Sequence, residues 1–405
     1  MSRILLCWEL GADYQHLLSL QAIARFYHNK GHEIWVAGRD VSKLKRLFSD
    51  VKIHVLAAPF ADSSSDLGLE KQAPRSYADY LRRCGYHHSD SLSGLVSAWI
   101  SLFSFIKPDL LLFDHAPTAL LAARDLAVGK VSVGASFSVP DDNRPAGIFF
   151  PGDLAKQDIV RYEEDLVKNI NKVCLEFGLP RINNLADLFA DLDNCIFQTY
   201  SELDHYGYRS AVQRHNTVYT GTAVTDFSEP AVFPHFKGPK IYCHVKGSVE
   251  TPVLLKTLQA IECSVIVLAD GIPESIIRAH QSRHILYINK PVNMRDVLDK
   301  STFAILNGGS SVSLFMKAGI PVALFPLHVE QFLMVKRVEA LNAGIQLNLS
   351  SIDTALQGLQ KVNSRQKKVA VGLFEDKYAN ESAVNELLLQ LALVEQNFLF
   401  EKLKV

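Results

Sequence analysis

The feature that most constrains this chain is the stretch from Phe303 to Ile345, in which two short apolar runs each end in a turn and lead into a helix-spaced pattern. Phe303 to Leu306 is apolar throughout and short, the signature of a parallel strand buried on both faces. Asn307-Gly308-Gly309-Ser310-Ser311 then turns the chain. Glycine lets a backbone approach a ligand closely. The helix that follows starts with free N–H groups and a positive dipole end, a combination suited to phosphate. Gly319-Ile320-Pro321 stops that helix, and Val322 to Phe325 is the next strand. His328-Val329-Glu330-Gln331 follows at its C-terminal end, where open α/β sheets bind ligands.

The same alternation opens the chain. Arg3 to Trp8 reads as a buried strand, Glu9 to His16 as a loop at its C-terminal end, Leu17 to Asn29 as a helix closed by Gly31, and Glu33 to Ala37 as a second strand. This is a βαβ unit. Val41 to Phe48 reads as an amphipathic helix, and Val51 to Ala57, Asp109 to Phe113, Val131 to Ala135 and Cys195 to Thr199 as further strands. Pro59 to Tyr86 is polar and reads as a long irregular loop, which inside an α/β domain is functional or mobile. Leu92 to Ile106 is apolar on most faces. A buried helix is preferred over an interfacial membrane helix, because Lys107 is its one flanking basic residue. Helices are expected over 155–177 and 185–192. Thr217 to Gly221 is read as the start of a linker, and the proline-rich run 227–239 as the domain boundary. A second alternating domain follows: strand Ile241 to Val245, turn Lys246-Gly247-Ser248, helix Thr251 to Ile261, strands Ser264 to Leu268 and Ile285 to Ile288. From Arg365 the pattern is helical.

Bulk properties exclude several classes. The chain has 405 residues, 48% hydrophobic and 21% charged, with a formal net charge of −1. No strong pull toward nucleic acid or anionic lipid is written into that total. Six cysteines are scattered without a C-x-x-C pair, which points to free thiols in a reducing cytoplasm rather than a disulfide framework or zinc site. No signal peptide precedes the first strand, and no apolar run is long enough to span a bilayer.

The 303–345 stretch resembles the donor-binding motif of the family 1 nucleotide-sugar glycosyltransferases of GT-B fold. The family pattern is His-Gly-Gly, a Ser or Thr, a Glu, Gly-Val-Pro, Pro and Asp-Gln. Gly308, Gly309, Ser311, Gly319, Pro321, Pro326 and Gln331 stand in register, allowing one deleted residue after Gly309. Asn307 replaces the His, Leu314 falls where the Glu should be, and Glu330 replaces the Asp. Asn307 can still donate a hydrogen bond to a phosphate oxygen; Leu314 cannot hold a ribose. The opening run Glu-Leu-Gly to His16, and its spacing to Gly31-His32, resembles the N-terminal half of bacterial members.

The resemblance implies a GT-B fold: two Rossmann-like, doubly wound α/β domains facing a central cleft. The acceptor-binding domain would span 1–220, a linker 221–239, and the nucleotide-sugar domain 240–378, with a C-terminal helix (379–405) packing back toward the first domain. It implies inverting, metal-independent transfer of a hexose from a nucleotide diphosphate sugar (UDP or dTDP) to a hydroxyl of a small-molecule or lipid acceptor. No permanently bound cofactor, no nucleic acid and at most peripheral membrane contact are expected. By residue-for-residue carry-over His16 is the general base and Asp114 orients it. The residues alone also allow His16 to be a plain helix-terminal residue and Asp114 a cap on the helix near Thr118. His32 is read as structural, and His115 as a second pocket residue. Gly308, Gly309, Ser310 and Ser311, with Gly247 and Ser248, would meet the diphosphate, and Glu330 and Gln331 the sugar. Asn289-Lys290-Pro291-Val292 stands where the family places its base clamp. Only Pro291 survives, so Asn289 and Val292 would offer backbone and small side chains. Arg82-Arg83 and His87-His88 could meet an anionic acceptor or be a solvated loop. The eroded motif also permits a non-catalytic scaffold or activating partner, and the fold a sugar-nucleotide 2-epimerase.

Overall fold

The computed structural model describes residues 1–11, 14–49, 51–61, 73–150, 156–207, 209, 216–224 and 229–400. The chain divides into two compact units. Unit 1 comprises Met1–Ser201, Tyr208–Thr220 and Ala383–Val405; unit 2 comprises Glu202–Gly207 and Gly221–Ser382.

Unit 1 is built on seven parallel strands: β1 (Arg3–Trp8), β2 (Glu33–Gly38), β3 (His54–Ala57), β4 (Leu110–Asp114), β5 (Gly129–Gly134), β6 (Asn194–Phe197) and β7 (Asn216–Tyr219), in the order β3-β2-β1-β4-β5-β6-β7. Its helices are α1 (Tyr14–Asn29), α2 (Val41–Leu47), α3 (Tyr77–Leu81), α4 (Ser89–Ile106), α5 (Pro117–Ala122), α6 (Lys156–Phe177) and α7 (Ala186–Phe189). Apart from the exposed Arg3 that opens β1, the central strands β1, β4 and β5 are buried along their length, as helices on both faces of a parallel sheet require. One core joins Ile4, Leu6 and Trp8 of β1 to Leu17, Leu20, Ile23 and Tyr27 of α1, with Leu110, Leu112, Val131 and Val133.

Several expectations change here. Within 59–86, residues 62–72 lie outside the described part. Residues 59–61 and 73–75 are irregular as expected, but from Ser76 the segment is not: Ser76 caps α3, its hydroxyl accepting from the Asp79 N–H, and Arg82–Tyr86 continue as a π-type turn. Tyr77, Leu81 and Tyr86 are buried; the surrounding charges mask that spacing in the sequence. Thr217 to Tyr219 is not linker but the edge strand β7, in register with β6 from Asn194↔Asn216 to Phe197↔Tyr219; its Thr, Val and Tyr are good strand formers. Helix α4 is long and apolar enough to cross a membrane by composition. Leu92, Val96, Trp99, Phe103 and Ile106 form one buried stripe at helical spacing, whereas Phe105 is 70% exposed. The buried reading therefore holds for one face.

Unit 2 has six parallel strands: β8 (Lys240–Lys246), β9 (Ser264–Asp270), β10 (Ile285–Ile288), β11 (Phe303–Leu306), β12 (Val322–Leu324) and β13 (Gly344–Gln346), in the order β10-β9-β8-β11-β12-β13. Around it run α8 (Thr251–Gln259), α9 (Glu274–Ala279), α10 (Met294–Lys300), α11 (Ser311–Lys317), α12 (Val329–Ala340), α13 (Ile352–Val362) and α14 (Arg365–Tyr378). Ile241, Cys243 and Val245 of β8 pack on α8 and α13 through Leu254, Leu258, Leu359 and Val362.

The last helix, α15 (Ala383–Glu395), belongs to unit 1. Leu387, Leu391 and Val394 enter the same core as α1. Glu395 is buried and bonds His32 Nε2 (3.0 Å) and Lys30 Nζ (2.5 Å), and the Tyr27 hydroxyl donates to the Leu391 carbonyl. His32 is thus a structural tie at the end of α1. All six cysteines are free, and all but Cys84 are buried.

Candidate active site

In sheet 1 the chain winds outward from β1 through β2 to β3, and outward from β4 through β5 to β7. The reversal lies between β1 and β4, whose ends Trp8 and Asp114 are register partners. The crevice at such a reversal is where doubly wound sheets bind ligands.

His16 and Asp114 meet at this crevice. Asp114 is the last residue of β4 and is fully buried. α1 begins at Tyr14, three residues before the expected start at Leu17, and His16 lies in its first turn. Its Nδ1 lies 2.8 Å from Asp114 Oδ1. A carboxylate facing Nδ1 keeps a proton there and leaves the lone pair on Nε2. Among the described residues Asp114 Oδ2 is buried without a hydrogen-bond partner, so the carboxylate's charge is directed at the imidazole. The alternative role of Asp114 as a helix cap is excluded: α5 has Ala116 at its N-cap and no side-chain cap there. The Trp8 ring stacks on His16 at 6.1 Å.

Two glycines make room for the pair. Gly11 has φ +79°, and a Cβ there would lie 2.3 Å from His16 Nε2. Gly134, φ +97°, would place a Cβ 2.9 Å from Asp114 Oδ1. Neither position suits an L side chain, for backbone and space alike.

Sequence reasoning missed Glu9. It directly follows β1 and is buried, and its carboxylate accepts the backbone N–H of Thr118 (3.0 Å) and Ala119 (2.5 Å). It therefore supplies from β1 the cap that α5 lacks, 109 and 110 residues away. The neighbouring Leu10 N–H donates to the His115 carbonyl, with His115 held at φ +45°. Burial pushes the Glu9 carboxyl up to about 8, although the helix N–H groups pull the other way. A Glu immediately after a buried strand at the reversal was the available signal. Its partners were not.

The sheet of unit 2 reverses between β8 and β11, and the glycine turn lies there. Asn307 is committed on both sides: its Oδ1 accepts from Lys246 N (2.7 Å) and its Nδ2 donates to the Phe325 carbonyl (2.7 Å). It braces β11 between β8 and β12, with one amide hydrogen remaining. Gly308, φ +111°, is buried against Gln331, whose carbonyl oxygen would lie 2.9 Å from a Cβ. Gln331 is itself buried and accepts from the Leu327 N–H. These three residues, expected to meet a ligand, are buried beside the crevice and packed or hydrogen-bonded against unit 2's own backbone. Gly309, Ser310 and Ser311 are partly exposed, and Gly309 faces open space. Gly247 is exposed and packs on the Gly271 carbonyl. Ser248 N–H bonds Thr251 Oγ1 at the start of α8. Asn289 is exposed and Val292 half-buried after β10. Glu330 opens α12, and buried His205 Nε2 lies 4.0 Å from its carboxylate. Leu314 is buried.

No family model matches the chain, and no curated protein matches it in sequence. Solved structures do. The glycosyltransferase of kitacinnamycin superposes with a TM-score of 0.71 at 12% identity, over 98% of this chain and 99% of that one. Glycosyltransferase VinC in complex with dTDP gives 0.66 at 13%, over 98% and 100%. Spinosyn rhamnosyltransferase SpnG complexed with spinosyn aglycone gives 0.63 at 13%, over 97% and 100%. With two parallel, doubly wound sheets and this whole-length likeness, the chain has the GT-B fold.

Proposed function

We propose that this protein is a glycosyltransferase that moves a hexose from a UDP- or dTDP-sugar to the hydroxyl of a small-molecule acceptor, with inversion and without a metal ion. The observation that carries the reading is the His16–Asp114 pair at the reversal of sheet 1. His16 Nε2 takes the acceptor's proton as the acceptor oxygen bonds to the anomeric carbon. The bond from that carbon to the diphosphate breaks, and the diphosphate leaves with the electron pair. Asp114 holds the imidazole and stabilises the imidazolium that forms. Gly309 to Ser311 and Gly247-Ser248 are the donor-side contacts, with Glu330 on the sugar. The neighbours bound to dTDP and to an aglycone support a nucleotide donor and a small hydroxylated acceptor. Buried free thiols fit a cytoplasmic setting.

A second reading, a non-catalytic scaffold or activating partner, is favoured by Leu314 in place of a carboxylate and by Asn307's bridging role. Thermal shift and calorimetry with UDP, dTDP, GDP and their sugar conjugates separate the two. A ligand at about 100 times its Kd adds about 2.7 kcal/mol of apparent stability. A clear shift supports the enzyme, and silence across the panel supports the scaffold.

A further inference from the structure

We infer that Arg75, Arg82 and Arg161, gathered on the ring of Tyr162, form an oxyanion subsite in unit 1, so that the acceptor is a hydroxylated molecule that also carries a carboxylate, phosphate or sulfate. This deepens the glycosyltransferase reading and rests on it for the word acceptor.

The guanidinium carbons of Arg75 and Arg82 each lie 4.6 Å from the Tyr162 ring centroid, and that of Arg161 lies 5.9 Å away. Arg83 joins the group through Asp79. Among the described residues, the carboxylates paired with Arg75 and Arg161 are those of Asp79 and Asp158. Asp79 is 3.7 Å from Arg75 and 3.8 Å from Arg83; Asp158 is 3.7 Å from Arg161. None of these contacts is short enough to be a tight bidentate pair. Among the described residues the Arg82 guanidinium makes no hydrogen bond and no ion pair, and it lies over the Tyr162 ring. Glu163, next in sequence to Tyr162, does not neutralise the group, because its carboxylate is taken by the N–H groups of Ala146 and Leu185.

Like charges collected on one ring repel, and an exposed cation–π contact returns only about 0.5–1 kcal/mol. Arginines gather in this way where planar, bidentate recognition of an oxyanion is required. The position suits an acceptor. Arg75 and Ser76 lie on the chain that leaves β3, and Ser76 bridges Ile148 in the segment that leaves β5, so the cluster stands at the C-terminal edge of the sheet. Tyr80, two residues before Arg82, stacks at 5.5 Å and 12° on His115, the residue after Asp114.

The test uses the full chain without donor, so its outcome does not depend on glycosyl transfer. Calorimetry compares 4-hydroxybenzoate, 4-hydroxyphenyl phosphate and 4-hydroxyphenyl sulfate with methyl 4-hydroxybenzoate. At least one anionic probe should bind about tenfold or more tightly than the ester, and the best of the three names the oxyanion. Arg82→Gln, and Arg75→Gln with Arg82→Gln, should remove the difference while retaining the wild-type melting temperature to within a few degrees. Equal binding of acid and ester, binding by none at millimolar concentration, or a preference untouched by the double variant overturns the subsite. Anion preference without any nucleotide-sugar binding would leave the subsite standing and overturn the transferase reading instead.

Discussion

His16 Nδ1 and Asp114 Oδ1 lie 2.8 Å apart although 98 residues separate them in the chain. Each stands where its strand delivers it: Asp114 ends β4, and His16 follows β1 after a short loop. With Asp114 buried and its second oxygen unpartnered among the described residues, the carboxylate acts on the imidazole. Asp114→Asn keeps an oxygen to accept the Nδ1–H but removes the charge that stabilises an imidazolium. Turnover should fall by about 10²- to 10⁴-fold with dTDP or UDP affinity unchanged. Steady-state kinetics beside calorimetry check this.

Gly11→Ala is expected to act through His16. The new Cβ would sit 2.3 Å from Nε2 at a φ of +79°. The backbone strain is about 1–2 kcal/mol. The larger effect is on the imidazole, which must leave its contact with Asp114. Activity should therefore be lost at temperatures where the variant is still folded, as activity and circular dichroism measured on one preparation would show. A variant with full activity would remove the Nε2 assignment.

Glu9 makes stability depend on pH. Its carboxyl is raised to about 8 in the folded protein from an ordinary 4.5, so the folded state holds its proton more tightly. The stabilisation is complete below about pH 4.5 and is lost as pH rises toward 8, at up to about 1.4 kcal/mol per pH unit. Glu9→Gln should flatten this fall. Urea unfolding at pH 5, 6, 7 and 8 gives the two slopes, and parallel slopes would contradict the assignment.

Asn307→Ala strands the Lys246 N–H and the Phe325 carbonyl, both now bonded to its amide. An unsatisfied buried group costs about 1–3 kcal/mol. The variant should unfold at lower denaturant with an unchanged m-value. A loss of donor affinity alone, without loss of stability, would return Asn307 to the role of a ligand contact.

What the sequence showed and what it hid follow one rule. Strand runs such as Ile4 to Trp8 and Phe303 to Leu306 were legible because burial on both faces of a parallel sheet demands uninterrupted apolar runs. The sheets place His16 beside Asp114, and the resemblance of its spacing to Gly31-His32 to that of the bacterial family 1 enzymes had already singled out His16. Glu9 was hidden because its meaning lies in the Thr118 and Ala119 amides, which no local pattern connects to it. Asn307 looked like a ligand contact for the same reason: a polar residue at a strand end reads alike whether it faces a phosphate or ties two neighbouring strands. The cluster on Tyr162 joins a stretch that read as loop, 75–83, to a helix about 80 residues on, and only packing brings them together.

The most direct measurement is sugar transfer by the wild-type protein and by His16→Ala, with dTDP- and UDP-hexoses and a panel of hydroxylated acceptors, followed by chromatography and anomeric assignment by NMR. The account predicts a glycoside of inverted anomeric configuration from the wild type, turnover lower by about 10²-fold or more from His16→Ala, and nucleotide diphosphate bound by both. Equal turnover by the two proteins, or a product of retained configuration, would contradict it.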